Sequence, residues 1–263
     1  MKNALTLLIF TMLLFSCNTN TENIIPEAFS ANIEAKPPSK GTQIINNAIQ
    51  AHGGELYDIA DYTFIFRAKE YHISNDHSNF SYSVKHTDEQ GSLIYDQLIN
   101  GAFTRTINHK LVDLSQEDQN KYSSSLNSVI YFVLIPYKLN DASVNKTYVE
   151  ETTIKGEKYH VIEITFAQEG GGEDFDDEYQ YWVNQTTNQI DYFAYNYRVN
   201  GGGARFRSAY NKRIVDGIVF QDYINWEVDF ETPLKDIPTL FEKNELKEAS
   251  RIELENIIGL PKL

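Results

Sequence analysis

Most of the chain alternates between apolar and polar residues. Tyr62, Phe64, Phe66 and Ala68 face one way while Thr63, Arg67 and Lys69 face the other, and Phe80, Tyr82, Val84 and His86 alternate with Ser81, Ser83 and Lys85. A period of two is the pattern of strands with unlike faces. Three hairpins follow. Lys146–Ile154 and Tyr159–Phe166 flank a Lys155-Gly156-Glu157 turn; Glu178–Asn184 and Gln189–Arg198 flank Gln185-Thr186-Thr187-Asn188; Ala204–Val215 and Ile218–Asp229 flank Asp216-Gly217. Helical period is confined to a few places. Ser39–Gly53 puts Ile44, Ile45, Ala48 and Ile49 on one face before Gly53-Gly54. Ser115 caps a second helix to Leu134, with Glu117 and Asp118 at its positive end and an apolar stripe of Tyr122, Leu126, Val129, Ile130 and Val133, stopped by Pro136. A short third helix is predicted around Thr239–Leu246. Successive hairpins with long strands predict a mainly β (α+β) fold: one large curved antiparallel sheet, a half-barrel, wrapped on two or three helices.

The N-terminus follows a different rule. Met1-Lys2-Asn3 precedes an apolar run, Ala4–Phe15, and then Ser16-Cys17. A basic tip, a short apolar core and a small residue at the cut form a secretory signal over residues 1–16. The core falls short of the ~20 residues a permanent membrane helix needs. Leu14-Phe15-Ser16-Cys17 resembles the bacterial lipobox, which implies acylation of Cys17, the only cysteine in the chain. Residues 17–40, rich in Asn, Thr, Ser and Pro, read as a flexible tether. Asn18-Thr19-Asn20 lacks the aspartate of an inner-membrane retention signal, and the acidic cluster of a surface-export signal is also missing. The expected location is the periplasmic face of the outer membrane, with the lipid as the sole membrane attachment.

That leaves residues 41–263 as a single β domain. Without a second cysteine it is held by its core, which 17 Tyr and 15 Phe can supply. A formal charge of −14 argues against nucleic acid or anionic headgroups as partners.

A lipobox, a tether, a first helix ending Ala51-His52-Gly53-Gly54 and then long antiparallel strands resemble the LolA/LolB superfamily of lipoprotein carriers. The chain also resembles a group of uncharacterised Bacteroidota lipoproteins that share this fold. The resemblance to that group is carried by Ala48–Gly54, by Tyr181-Trp182-Val183-Asn184 with Ile190-Asp191-Tyr192, and by Gly201–Arg207. The likeness to the LolA/LolB superfamily implies non-covalent binding of an acyl chain or similar apolar ligand between sheet and helices, and no catalytic residue set.

Two local constellations stand out. Gly170-Gly171-Gly172 leads into Glu173, Asp174, Asp176, Asp177 and Glu178, five carboxylates in six residues. Such a cluster suits Ca²⁺, though the spacing is not that of an EF-hand and a solvated surface loop explains it more simply. No other cofactor is indicated. After Asn200-Gly201-Gly202-Gly203, Arg205 and Arg207 share one strand face, where two guanidinia could grip one carboxylate or phosphate, or pair with the acidic loop. Tyr181, Tyr195 and Tyr197 would line an apolar or sugar-binding site on the same sheet, or simply pack in the core. His52 reads as a helix-end cation, and His72, His77 and His86 as neighbours without the carboxylate or thiolate spacing of a zinc site. No Gly-x-Ser-x-Gly elbow is present.

Three functions follow from these readings. The first is a membrane-anchored protein that binds a hydrophobic ligand. The second is an interaction lipoprotein that binds another envelope protein by a sheet edge or the acidic loop. The third, least supported, is a hydrolase using Glu173, Asp174, Asp176 or Asp177 with Arg205 or Arg207.

Overall fold

The first helix, α1 (Lys40–His52), begins where Ser39 Oγ accepts the Thr42 N–H at 3.2 Å as N-cap. Gly53 (φ 148°) ends it. The structure, a computed structural model, describes residues 37–167, 177–197 and 202–261. The signal peptide, Cys17, the tether up to residue 36, and Glu173, Asp174 and Asp176 lie outside the described residues.

Six strands follow α1: β1 (Asp61–Phe66), β2 (Lys69–Asp76), β3 (Asn79–Thr87), β4 (Leu93–Ile99), β5 (Ala102–Ile107) and β6 (Lys110–Leu111). Helix α2 (Gln116–Val133) leads to β7 (Val144–Ile154), β8 (Glu157–Phe166), β9 (Tyr179–Asn184), β10 (Ile190–Tyr197), β11 (Gly203–Val215) and β12 (Ile218–Val228). Helix α3 (Ile237–Glu242) precedes β13 (Lys247–Ile252) and β14 (Glu255–Gly259). All of these elements lie in one compact unit, Pro38–Leu263. Both long helices and all three hairpins fall where the alternation predicts them.

The mainly β, antiparallel class holds, with the strands divided between two sheets rather than gathered in one. Their orders are β14-β1-β2-β3-β4-β5-β6 and β13-β12-β11-β10-β9-β8-β7. Each is a meander of neighbours, and the chain changes sheet at Glu253-Leu254, between β13 on β12 and β14 on β1. Alternation is the same whether a strand's neighbour belongs to one sheet or the other, so periodicity is silent on the division.

The crossover is fixed by buried charge. Asp222 on β12, 2% exposed, accepts the Leu254 N–H at 2.9 Å and the Arg213 Nη2–H at 2.9 Å through Oδ1, and the Asn211 amide at 2.6 Å through Oδ2. Arg213 Nη2 also donates to the Leu254 carbonyl at 2.6 Å. Both backbone groups of Leu254 are thereby satisfied where no ladder partner exists.

Apolar residues form three cores. Ile44, Ile45, Ala48 and Ile49 of α1 pack on Ile162, Tyr181, Val183 and Phe193 of the second sheet. Leu126 and Ile130 of α2 pack, with Leu134 just beyond it, on Phe64, Ile73, Tyr82 and Leu98 of the first. Ile237 and Phe241 of α3 cover Trp182, Ala194 and Phe206 on the other face of the second sheet. Gly41 lets α1 approach closely: a Cβ there would lie 2.6 Å from the Lys146 carbonyl oxygen.

His52 departs from its expected role as a cation. It is fully buried, its Nε2 accepts the Ile190 N–H at 3.2 Å, and burial lowers its pKa to about 4, aided by Lys212 nearby. The neutral ring ties the end of α1 to the start of β10.

Two outcomes follow. Asp222→Ala leaves the buried Leu254 N–H without its acceptor and the partly buried Arg213 without its counter-ion, and should cost about 1–3 kcal/mol in a denaturant melt. For His52 the unfolded chain binds the proton more tightly than the folded one, so its contribution is complete above pH ~6.5 and is lost as pH falls towards 4. Stability at pH 5 should be about 2 kcal/mol below that at pH 7 from this residue, and His52→Gln should remove that part of the pH dependence.

Candidate ligand cavity

Helix α2 bridges the two sheets. Leu126 and Ile130 face the first, while Tyr131 and Phe132 pack against the core of the second. Its N-terminal half is fixed by Arg105, which stacks over Tyr122 at 3.4 Å and donates from Nε and Nη2 to Asp96, both at 2.6 Å. Beside these contacts, part of the space between α2 and the second sheet stays open as a cavity of about 290 Å³.

Val129, Phe132 and Val133 of α2 form one wall, and Tyr195, Arg207, Gln221 and Tyr223 of β10–β12 form the other. Phe66 and Arg67 at the β1–β2 turn and Ile252 and Leu254 at the crossover complete it. The lining is mostly apolar, with a few polar groups, the general composition of small-molecule sites.

Arg207 is the charged group inside. It is 8% exposed, its guanidinium sits 4.2 Å from the Phe132 ring centroid and 5.2 Å from that of Phe193, and Nη2 donates to Tyr195 Oη at 3.0 Å. Its Nε has no acceptor. Gln221, 6% exposed, donates from Nε2 to the Ile190 carbonyl at 3.0 Å and to Tyr223 Oη, and its Oε1 is buried without a donor. Burial raises the pKa of Tyr223 to about 12, so the hydroxyl stays protonated.

The five expected binding residues therefore separate. Arg207 and Tyr195 line the cavity. Arg205 and Tyr197 line a shallow depression near the loop end of β11 with Gly202, Gly203 and Phe230, where Arg205 lies over Tyr197 and donates to the Ala204 carbonyl at 2.8 Å. The two arginines do not grip one site together. Tyr181 is wholly buried in the core under α1, stacked on Phe193 at 5.3 Å, and burial holds its pKa well above the usual phenol range. It packs rather than binds.

Of the acidic cluster, only Asp177 and Glu178 are described, and Asp177 is buried at the entry to β9. No group of three or more His, Cys, Asp or Glu that could hold a metal occurs among the described residues. His72 is hydrogen-bonded to Asp61 at 2.7 Å, His86 is lowered in pKa by burial, and His77 occupies the β2–β3 turn.

Sequence reasoning missed Phe66, Phe132, Gln221 and Tyr223 as lining residues. One signal was available: Gln221 interrupts Ile218-Val219-Phe220, the apolar opening of a strand, and a polar residue inside such a run marks a buried polar site.

Comparison with known proteins places this architecture. A family profile matches residues 28–254. The chain belongs to the family of unknown function DUF6503. No match is found among curated proteins. Among solved structures, a LolA superfamily protein from Nitrosomonas europaea is similar at a TM-score of 0.52, with 9% identity over 86% of this chain and 96% of that one. A domain described as an outer membrane lipoprotein-sorting protein from Vibrio parahaemolyticus gives 0.46, with 8% identity over 85% and 94%. A DUF1329 family protein from Desulfovibrio piger gives 0.36, with 13% identity over 80% and 100%. At 9% identity the first likeness shows the fold alone, and the two lower scores carry no argument. The fold of this DUF6503 member is LolA-like. None of the described helices is long and apolar enough to cross a membrane.

Proposed function

We propose that this protein binds one small hydrophobic or amphipathic molecule in the cavity between α2 and the second sheet, and that it does so as an envelope lipoprotein anchored through Cys17. The observation that carries the reading is the cavity itself: about 290 Å³, walled by Val129, Phe132, Val133, Tyr195 and Tyr223. The LolA-like fold supports the reading, as does the position of the space between helix and sheet. The volume lies at the lower end of ligand pockets (~300–1,000 Å³), which favours a single acyl-sized occupant over a bulky multi-chain lipid.

The anchor rests on the Ser16-Cys17 motif and the residues before it. Since one acyl chain binds only reversibly, stable attachment implies more than one on Cys17. The periplasmic face of the outer membrane is the proposed location.

Native mass spectrometry with solvent extraction tests the binding. The purified full chain should carry a co-purifying apolar molecule in 1:1 ratio, and Val129→Trp, which fills the cavity from α2, should carry none. A ligand retained equally by both would place binding elsewhere. The anchor is tested by fractionation: Cys17→Ser should move the protein out of the detergent-extracted membrane fraction, and unchanged membrane association would rule out the lipid.

A further inference from the structure

The charge inside the cavity specifies more than an apolar tail. We infer that Arg207 is the anchor for the head group of a monoanionic carboxylate amphiphile. This inference rests on the binding reading above and narrows its ligand class.

Arg207 is 8% exposed, forms no ion pair among the described residues, and its Nε has no acceptor. Arg105 and Arg213, both partly buried, are paired with Asp96 and Asp222. An arginine withdrawn from water without a carboxylate is costly, and an aromatic face returns only part of that cost. Phe132 and Phe193, from two elements, lie beside the guanidinium and Tyr195 Oη takes one N–H. These contacts fix the orientation of the guanidinium while leaving its charge uncompensated beside an apolar space.

The shape of the group selects the head group. A planar guanidinium matches a planar carboxylate with two oxygens. A phosphate carrying close to two charges would need a second buried cation. Arg205 lies in the separate depression over Tyr197, and Arg67, which also borders the cavity, is exposed at the β1–β2 turn. One buried cation therefore faces one negative charge. Gln221 Oε1, which borders the same cavity further along the sheet, is a buried acceptor without a donor among the described residues. Water filling the cavity is the competing occupant, and it predicts no preference between head groups.

Calorimetric titration of the delipidated full chain with dodecanoate, dodecanol and dodecyl phosphate decides between them. Dodecanoate should bind 1:1 and about 10- to 100-fold more tightly than dodecanol, the worth of one charge-assisted hydrogen-bonded pair. Dodecyl phosphate should bind no more tightly than dodecanoate. Arg207→Met, which keeps the apolar stem, should erase the preference for dodecanoate over dodecanol, whereas Arg205→Met should preserve it. If dodecanol binds as well as dodecanoate, the cavity stands and the anchor is wrong. Tighter binding of dodecyl phosphate overturns the carboxylate assignment. If none of the three binds, the cavity reading itself fails and this inference goes with it. Should Arg207→Met not fold, the head-group comparison in the unaltered protein still decides.

Discussion

The architecture depends on how the chain leaves one sheet for the other. At Leu254 the backbone has left the ladder of β12 and not yet joined that of β1, so its N–H and carbonyl have no strand to bond. Asp222 and Arg213 supply both partners from β12 and β11. Because the acid is 2% exposed, the pair is held by hydrogen bonds on nearly every available oxygen rather than by solvent-screened attraction. A second consequence is spatial. Leu254 and, two residues earlier, Ile252 border the cavity, so the clamp that joins the sheets also sets one of its walls.

The second sheet carries apolar residues on both faces, which is unusual for an antiparallel meander with one solvated side. Trp182, Ala194 and Phe206 face α3, while Tyr181 and Phe193 face α1 and α2. Along β11 the residues alternate between these environments, with Phe206 in the α3 core and Arg207 opposite Phe193. The arginine thus occupies a position that its neighbours fill with aromatic rings. Its long apolar stem lets it do so without leaving a void, while its head reaches the cavity.

Much of this was legible in the sequence. The stripe of Ile44, Ile45, Ala48 and Ile49 and the cap at Ser115 with its own stripe locate both long helices, because each helix buries a single face. Strand β4 escaped detection for a physical reason: its buried positions read Ile94, Asp96 and Leu98, and the acid breaks the apolar alternation. Only the partner Arg105, on the next strand, makes that burial tolerable. β13 and β14 are short and carry few buried residues, so their pattern is weak. Within the site, the face of Arg207 and Tyr195 follows from alternation alone. Which stretch of that face a helix covers does not, and this is why Tyr181 proved to be core. Phe66 and Phe132 reach the cavity from elements 75 or more residues away from Arg207 in the chain, a distance over which local pattern carries no information.

The opening beneath α2 follows from the division of labour along that helix. Tyr122 is held by Arg105, and Leu126 and Ile130 are sunk into the first sheet. These contacts determine where the helix lies, and they all involve the first sheet. Of the α2 residues that line the cavity, Val129 and Val133 are partly buried against the core of the first sheet and Phe132 against that of the second. A helix positioned by one sheet cannot also close fully on another whose own position is fixed by the Leu254 crossover. The cavity is therefore a geometric remainder of two independent constraints, and its size responds to side chains on α2 without disturbing either. That separation leaves a cavity between α2 and the second sheet.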